Sequence, residues 1–201
     1  MKKLWLQWLL LTLGAWLLTW PLGRLWNNEL INHIPPLMSM LVLAMITFAF
    51  GIGIAAVQWL VLRRYVSEIW PWLFANGAGT VIGTAVAMPL KLMDHYVGSN
   101  GFQLDELWYG AVFGLVLGAA QWLALRPWLP RSAWWIVGTT VGWTLGMLLG
   151  QLLPQAWRTG TTSVLAALIT ASIPTAITGG ILILLLPRIS PPAADIKLRT
   201  G

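Results

Sequence analysis

Two stretches decide how this chain folds: FGIGIAAVQWLVLRRY at residues 50–65 and FGLVLGAAQWLALRPW at residues 113–128. They align without a gap at an offset of 63, sharing Phe, Gly, Gln, Trp and Arg at matched places. Each is an apolar run of helical length that ends in a basic residue, with one glutamine set five residues before the arginine. The match continues at the same offset into the next apolar run, pairing Trp72 with Trp135, Gly79 with Gly142, and Gly83 with Gly146. A weaker third copy places Ala176, Gly180 and Arg188 at the positions of Gly114, Gly118 and Arg126, with Ile183 standing for the glutamine. The first apolar run loosely follows the Gly-Trp type through Trp8, Gly14 and Trp16. Two crossings per unit put all copies in one orientation, so the expected architecture is three pseudo-repeated helical hairpins.

Working outward, 58% of the 201 residues are hydrophobic, while only twelve are basic and six acidic. The charges cluster and leave six apolar windows, at about 4–22, 37–62, 70–90, 107–125, 133–153 and 164–186, each near the length of one bilayer crossing. The reading is an all-α integral membrane bundle of six transmembrane helices within residues 1–189, followed by a cytoplasmic tail at 190–201. The first window follows Lys2 and Lys3 but lacks a small-x-small cleavage site, and reads as a retained signal anchor. Pro89 is expected to kink or stop the third helix, and Pro174 to be tolerated within the sixth. The absence of cysteine excludes a disulfide scaffold, and a basic balance built from residues at membrane edges excludes a nucleic-acid binder.

Basic residues stay cytoplasmic in short loops. Lys2, Lys3, Arg63, Arg64, Arg126, Arg131, Arg188, Lys197 and Arg199 fall on one side of the six-span topology, against Arg24, Lys91 and Arg158 on the other. Both termini are therefore expected in the cytoplasm. The outer side collects Glu29, Asp94, Asp105 and Glu106 with His33 and His95, which read as solvated loop histidines without a second ligand at metal spacing. Many of the fifteen tryptophans, among them Trp5, Trp20, Trp26, Trp70, Trp72, Trp108, Trp128, Trp134 and Trp157, lie at window edges and read as an aromatic belt.

The repeated residues have a packing logic. Gly110, Gly114, Gly118 and Gln121 fall on one helical ridge, as do Gly51, Ala55 and Gln58. In the adjoining helices Asn76, Gly79 and Gly83, and Thr139, Gly142, Gly146 and Gly150, form ridges expected to pack against them. A glutamine amide inside the bilayer needs a partner, either another helix or a ligand. A ligand cavity would draw on Gln58, Gln121, Asn76, Trp59 and Trp122. Arg63, Arg126 and Arg188 read as interface anchors, or as a symmetric triad for lipid headgroups or anions.

No acid, base or thiol stands in the middle of a span, and Ser39 and Ser172 have no spanning histidine, so the chain reads as non-enzymatic. At the GxxQWLxLR element, present as GIAAVQWLVLRR and GAAQWLALRP, the sequence resembles a group of uncharacterised multi-pass bacterial membrane proteins common in photosynthetic bacteria. The resemblance covers about residues 48–188, implies a bacterial inner membrane or a photosynthetic membrane, and transfers no catalytic or binding residue, leaving any cofactor unknown. Two roles are therefore expected from the residues: association with itself or with a larger membrane complex through packing ridges, or the binding of a small molecule, lipid or pigment.

Overall fold

The computed structural model describes residues 2–25, 35–63, 65, 67–68, 70–97, 104–154 and 163–186. Among these residues all regular structure is helical, in six helices: α1 Lys2–Leu25, α2 Pro36–Leu62, α3 Trp70–Val97, α4 Leu104–Leu125, α5 Trp134–Leu152 and α6 Ser163–Leu185. Arg188, His33 and the tail at 190–201 lie outside the described residues, as does the side chain of His95.

Each helix packs against the next in the chain, and α1 closes against α6, so the six form a ring. Three of them contain stretches long and apolar enough to cross a membrane: Leu37–Leu62, Asp105–Leu125 and Ser163–Leu185. The alternating members α1, α3 and α5 are richer in Trp, Thr and Gly, and that composition lowers their apolarity. Polarity is nevertheless inverted throughout the ring. Large apolar side chains such as Leu18, Met45, Ile82, Leu115, Val141 and Leu184 point outward, while Thr12, Gln58, Asn76, Gln121, Thr139 and Thr175 are buried.

The ring closes tightly because small residues line its seams. A Cβ on Gly114 would lie 2.8 Å from the Thr139 carbonyl oxygen and from the Thr140 Cα, so only glycine permits this approach of α4 to α5. The ridge expected on α5 divides between two neighbours. Thr139 faces α4, but Gly142 and Gly146 face α6, where a Cβ on Gly142 would meet the Pro174 Cα at 2.6 Å. Pro174 cannot donate to the Thr170 carbonyl, and Gly146 lies against that freed oxygen. The glycine groove of α5 thus accommodates the one proline of α6. Pro89 does not end α3, which runs on to Val97; a membrane-type helix absorbs an interior proline when its surroundings cover the freed backbone.

One end of the bundle is packed solid. Trp8, Trp72 and Trp135 are each 1% exposed there, among Leu62, Leu125, Leu129, Leu182 and Leu185. Trp135 meets Trp8 and Trp72 edge to face at 5.8 and 5.9 Å, a geometry that contributes about 0.5–1.5 kcal/mol per pair beyond burial. Trp72 is therefore a core residue and not part of an aromatic belt. It lies two residues from the exposed Trp70, about 200° round the helix, and that rotation carries it inward.

Candidate functional site

Above the three tryptophans the ring surrounds a half-open cavity of about 320 Å³ to which all six helices contribute. Its construction follows from α1, α3 and α5, which present side chains inward at four-residue intervals. The lowest layer is Trp8, Trp72 and Trp135, of which Trp8 and Trp135 border the cavity. The second is Thr12, Asn76 and Thr139, and the third is Trp16, Thr80 and Trp143, all cavity-lining. Successive layers are about 6 Å apart along the axis. From α2 and α4 come Gln58 and Gln121 with Phe50 and Phe113, and from α6 come Thr175 and Thr178.

Gln121 is the centre of a complete hydrogen-bond network. Its Nε2 donates to Asn76 Oδ1 at 2.8 Å and its Oε1 accepts from Trp135 Nε1 at 2.8 Å; Thr139 Oγ1 lies 3.4 Å from Oε1, its one hydrogen shared with the nearer Trp135 carbonyl at 2.8 Å. Asn76 in turn donates through Nδ2 to the Trp72 carbonyl at 2.9 Å. The chain therefore binds α3, α4 and α5 together through buried amides, where an unpaired group costs about 1–3 kcal/mol.

Gln58, the matching residue 63 positions earlier, is placed differently. Its Nε2 donates to Thr12 Oγ1 of α1 at a long 3.4 Å. Its Oε1 is buried without a partner, and so is the Trp72 indole nitrogen that would correspond to the donor at Trp135. At the third seam, between α6 and α1, Trp8 Nε1 donates to Thr178 Oγ1 at 3.3 Å. Thr178 was not legible as a partner, because alignment through Arg188 puts Ile183 at the glutamine position.

Aromatic rings cross the cavity in the third layer. Phe50 meets Trp16 edge-on at 4.8 Å, Trp16 meets Trp143 at 5.8 Å, and Phe113 meets Trp143 edge-on at 4.8 Å. Trp16 and Trp143 belong to α1 and α5, which are not neighbours in the ring, so their contact reaches across the lumen. Among the described residues no charged side chain lines the cavity.

Of the five residues expected to line a ligand site, Gln58, Gln121 and Asn76 meet in this cavity and Trp59 and Trp122 do not. One residue further along the helix is a 100° turn away from the lumen. Trp59 packs beside the buried core, and Trp122 carries the Arg126 guanidinium over its ring at 5.6 Å. The cavity tryptophans are instead Trp8, Trp16, Trp135 and Trp143, whose four-residue spacing to Thr12 and Thr139 is the signal that could have found them. Arg63 and Arg126 are both exposed beyond the packed end. Comparisons with protein-family profiles, curated proteins and solved structures find no match to the chain.

Proposed function

We propose that this protein is a six-span membrane protein that binds a small uncharged molecule inside its helical ring. The cavity carries the proposal: about 320 Å³, within the range of small-molecule sites, with aromatic walls and convergent neutral amides and hydroxyls. An ion in such a place would lack a counter-charge, and a bare charge in low dielectric is costly. The small-residue ridges that would have served association are occupied within the chain, at the α4–α5 and α5–α6 seams. A reactive group is not needed for this role, so the proposed protein is a binding or transport component and not an enzyme.

Six crossings are supported by the ring itself. Three helices have the apolarity to cross, they alternate with the other three, and all six carry large outward-facing apolar side chains. A helix packed between two spanning neighbours with a greasy outer face has lipid as its natural surroundings. The excess of basic residues at the Arg63 and Arg126 end supports a cytoplasmic position for that end and for both termini. The chain has no cysteine, so single cysteines introduced at residues 3, 99 and 197 can be labelled without background. Residues 3 and 197 should react only from the cytoplasmic side and residue 99 only from outside; any other pattern removes the six-span topology. For binding, native mass spectrometry of protein extracted in mild detergent should release one small neutral molecule per chain. Protein that refuses every neutral probe and retains none removes the binding reading.

A further inference from the structure

Resting on the binding reading above, we propose that the cavity selects a planar aromatic molecule of indole size bearing an N–H or O–H donor. Its ring would occupy the place of a tryptophan that the third layer lacks, with its donor on Gln58 Oε1.

The argument starts from the third layer. At an offset of 63, Thr80 corresponds to Trp143, and the backbone environments agree: Gly51 lies against Thr80 as Gly114 lies against Trp143. Trp16 and Trp143 fill their positions in this layer with indoles, and Thr80 does not. The side chain of Thr80 turns to its own helix, its hydroxyl donating to the Asn76 carbonyl at 2.6 Å, so it adds little to the lumen. The phenylalanines record the same gap. Phe113 packs edge-on against Trp143 of the following helix, whereas Phe50, facing a threonine there, packs against Trp16 of the preceding one. The space beside Thr80 is thus bordered by Phe50, Trp16, Trp143 and Phe113, walls that favour another aromatic ring by offset or edge-to-face contact.

A second observation fixes the polar end. Gln58 is 7% exposed and lines the same cavity, while its Oε1 is itself buried without a hydrogen bond, so a small rotation of the amide brings that oxygen to a ligand's donor. Its counterpart Gln121 Oε1 accepts an indole N–H at 2.8 Å. A buried amide oxygen without a donor is costly, and a ligand supplying the donor recovers that cost. Gln58 stands at the height of Thr12, about 6 Å below the Thr80 layer, a distance one fused two-ring system spans.

The test uses the full chain in lipid nanodiscs and equilibrium dialysis with four probes: indole, 1-methylindole, cyclohexanol and tetramethylammonium. The expected result is one indole per chain, with 1-methylindole at least about tenfold weaker because it cannot donate to Gln58. Thr80→Trp, which fills the gap, should abolish indole binding while circular dichroism and thermal melting stay near those of the parent. Gln58→Leu should weaken indole about tenfold and remove its advantage over 1-methylindole. If Thr80→Trp does not fold, the indole to 1-methylindole ratio in Gln58→Leu decides alone. Equal binding of the two indoles by the parent chain, or unchanged indole binding in a folded Thr80→Trp, overturns the proposal. Cyclohexanol binding as tightly as indole overturns the aromatic preference but leaves a neutral-molecule site standing. Preference for tetramethylammonium overturns both this inference and the neutral cavity on which it rests, as does failure of all four probes to bind.

Discussion

The seam between α4 and α5 and the seam between α2 and α3 are built from the same sequence pattern and solve different problems. At the first, Gln121 joins Trp135, Thr139 and Asn76, and every polar atom of its amide is used. At the second, Gln58 reaches only Thr12, weakly, and leaves both its carbonyl oxygen and the Trp72 indole unpaired. Close packing does not distinguish them. Gly51 is as constrained as Gly114, since a Cβ there would lie 2.8 Å from the Asn76 carbonyl. The difference lies in the buried polar groups, and it teaches that one copy of a repeated element can hold the bundle while the other keeps hydrogen-bonding capacity in reserve.

Removing the hub is the strongest way to break this contrast. Gln121→Leu strands Trp135 Nε1 and Asn76 Oδ1 in the core and is expected to cost about 3 kcal/mol, against less than about 1 kcal/mol for Gln58→Leu. Reversible denaturant unfolding in mixed micelles would measure both, and equal losses would erase the distinction between the seams. Next come the glycines. Gly51→Ala and Gly114→Ala should each destabilise by about 2 kcal/mol, because the added methyl meets backbone atoms that cannot step aside. Similar values would show that packing is common to the two seams; a large effect at only one would place the asymmetry in the backbone.

The legibility of these features in the sequence follows from what each depends on. Helix positions were readable because six apolar runs separated by charges leave little choice, and observed bounds such as Pro36–Leu62 fall close to the windows. Gln58 and Gln121 were readable because an amide repeated within an apolar run is conspicuous. Trp72 was misread because proximity to a window edge says nothing about which face of the helix a residue occupies. The extension of α3 past Pro89 was hidden because propensity alone cannot report what covers the freed backbone. The gap at Thr80 is a departure from a repeat, visible only once a structure shows which positions point inward. Thr178 was missed because the third copy was aligned on its terminal arginine, whereas its hydrogen bond to Trp8 depends on the seam that closes the ring.

The smallest expected effect gives the finest test. Trp72→Phe and Trp135→Phe remove similar ring area from the same packed layer, and each deletes one indole N–H. At Trp135 that N–H donates to Gln121 at 2.8 Å, so its loss leaves Oε1 with only a weak 3.4 Å share of the Thr139 hydroxyl, which donates chiefly to the Trp135 carbonyl. At Trp72 the N–H has no partner, and its loss relieves an unpaired buried donor. Trp135 also makes one more edge-to-face pair than Trp72, a contact that phenylalanine keeps in part, so Trp135→Phe should be the less stable by at least about 1 kcal/mol in the same unfolding assay. Equal stability would mean that Trp72 Nε1 finds a partner in the membrane-embedded protein, for which Gln58 Oε1 is the obvious acceptor. The two seams would then be alike, and Gln58 would no longer be free to receive a ligand.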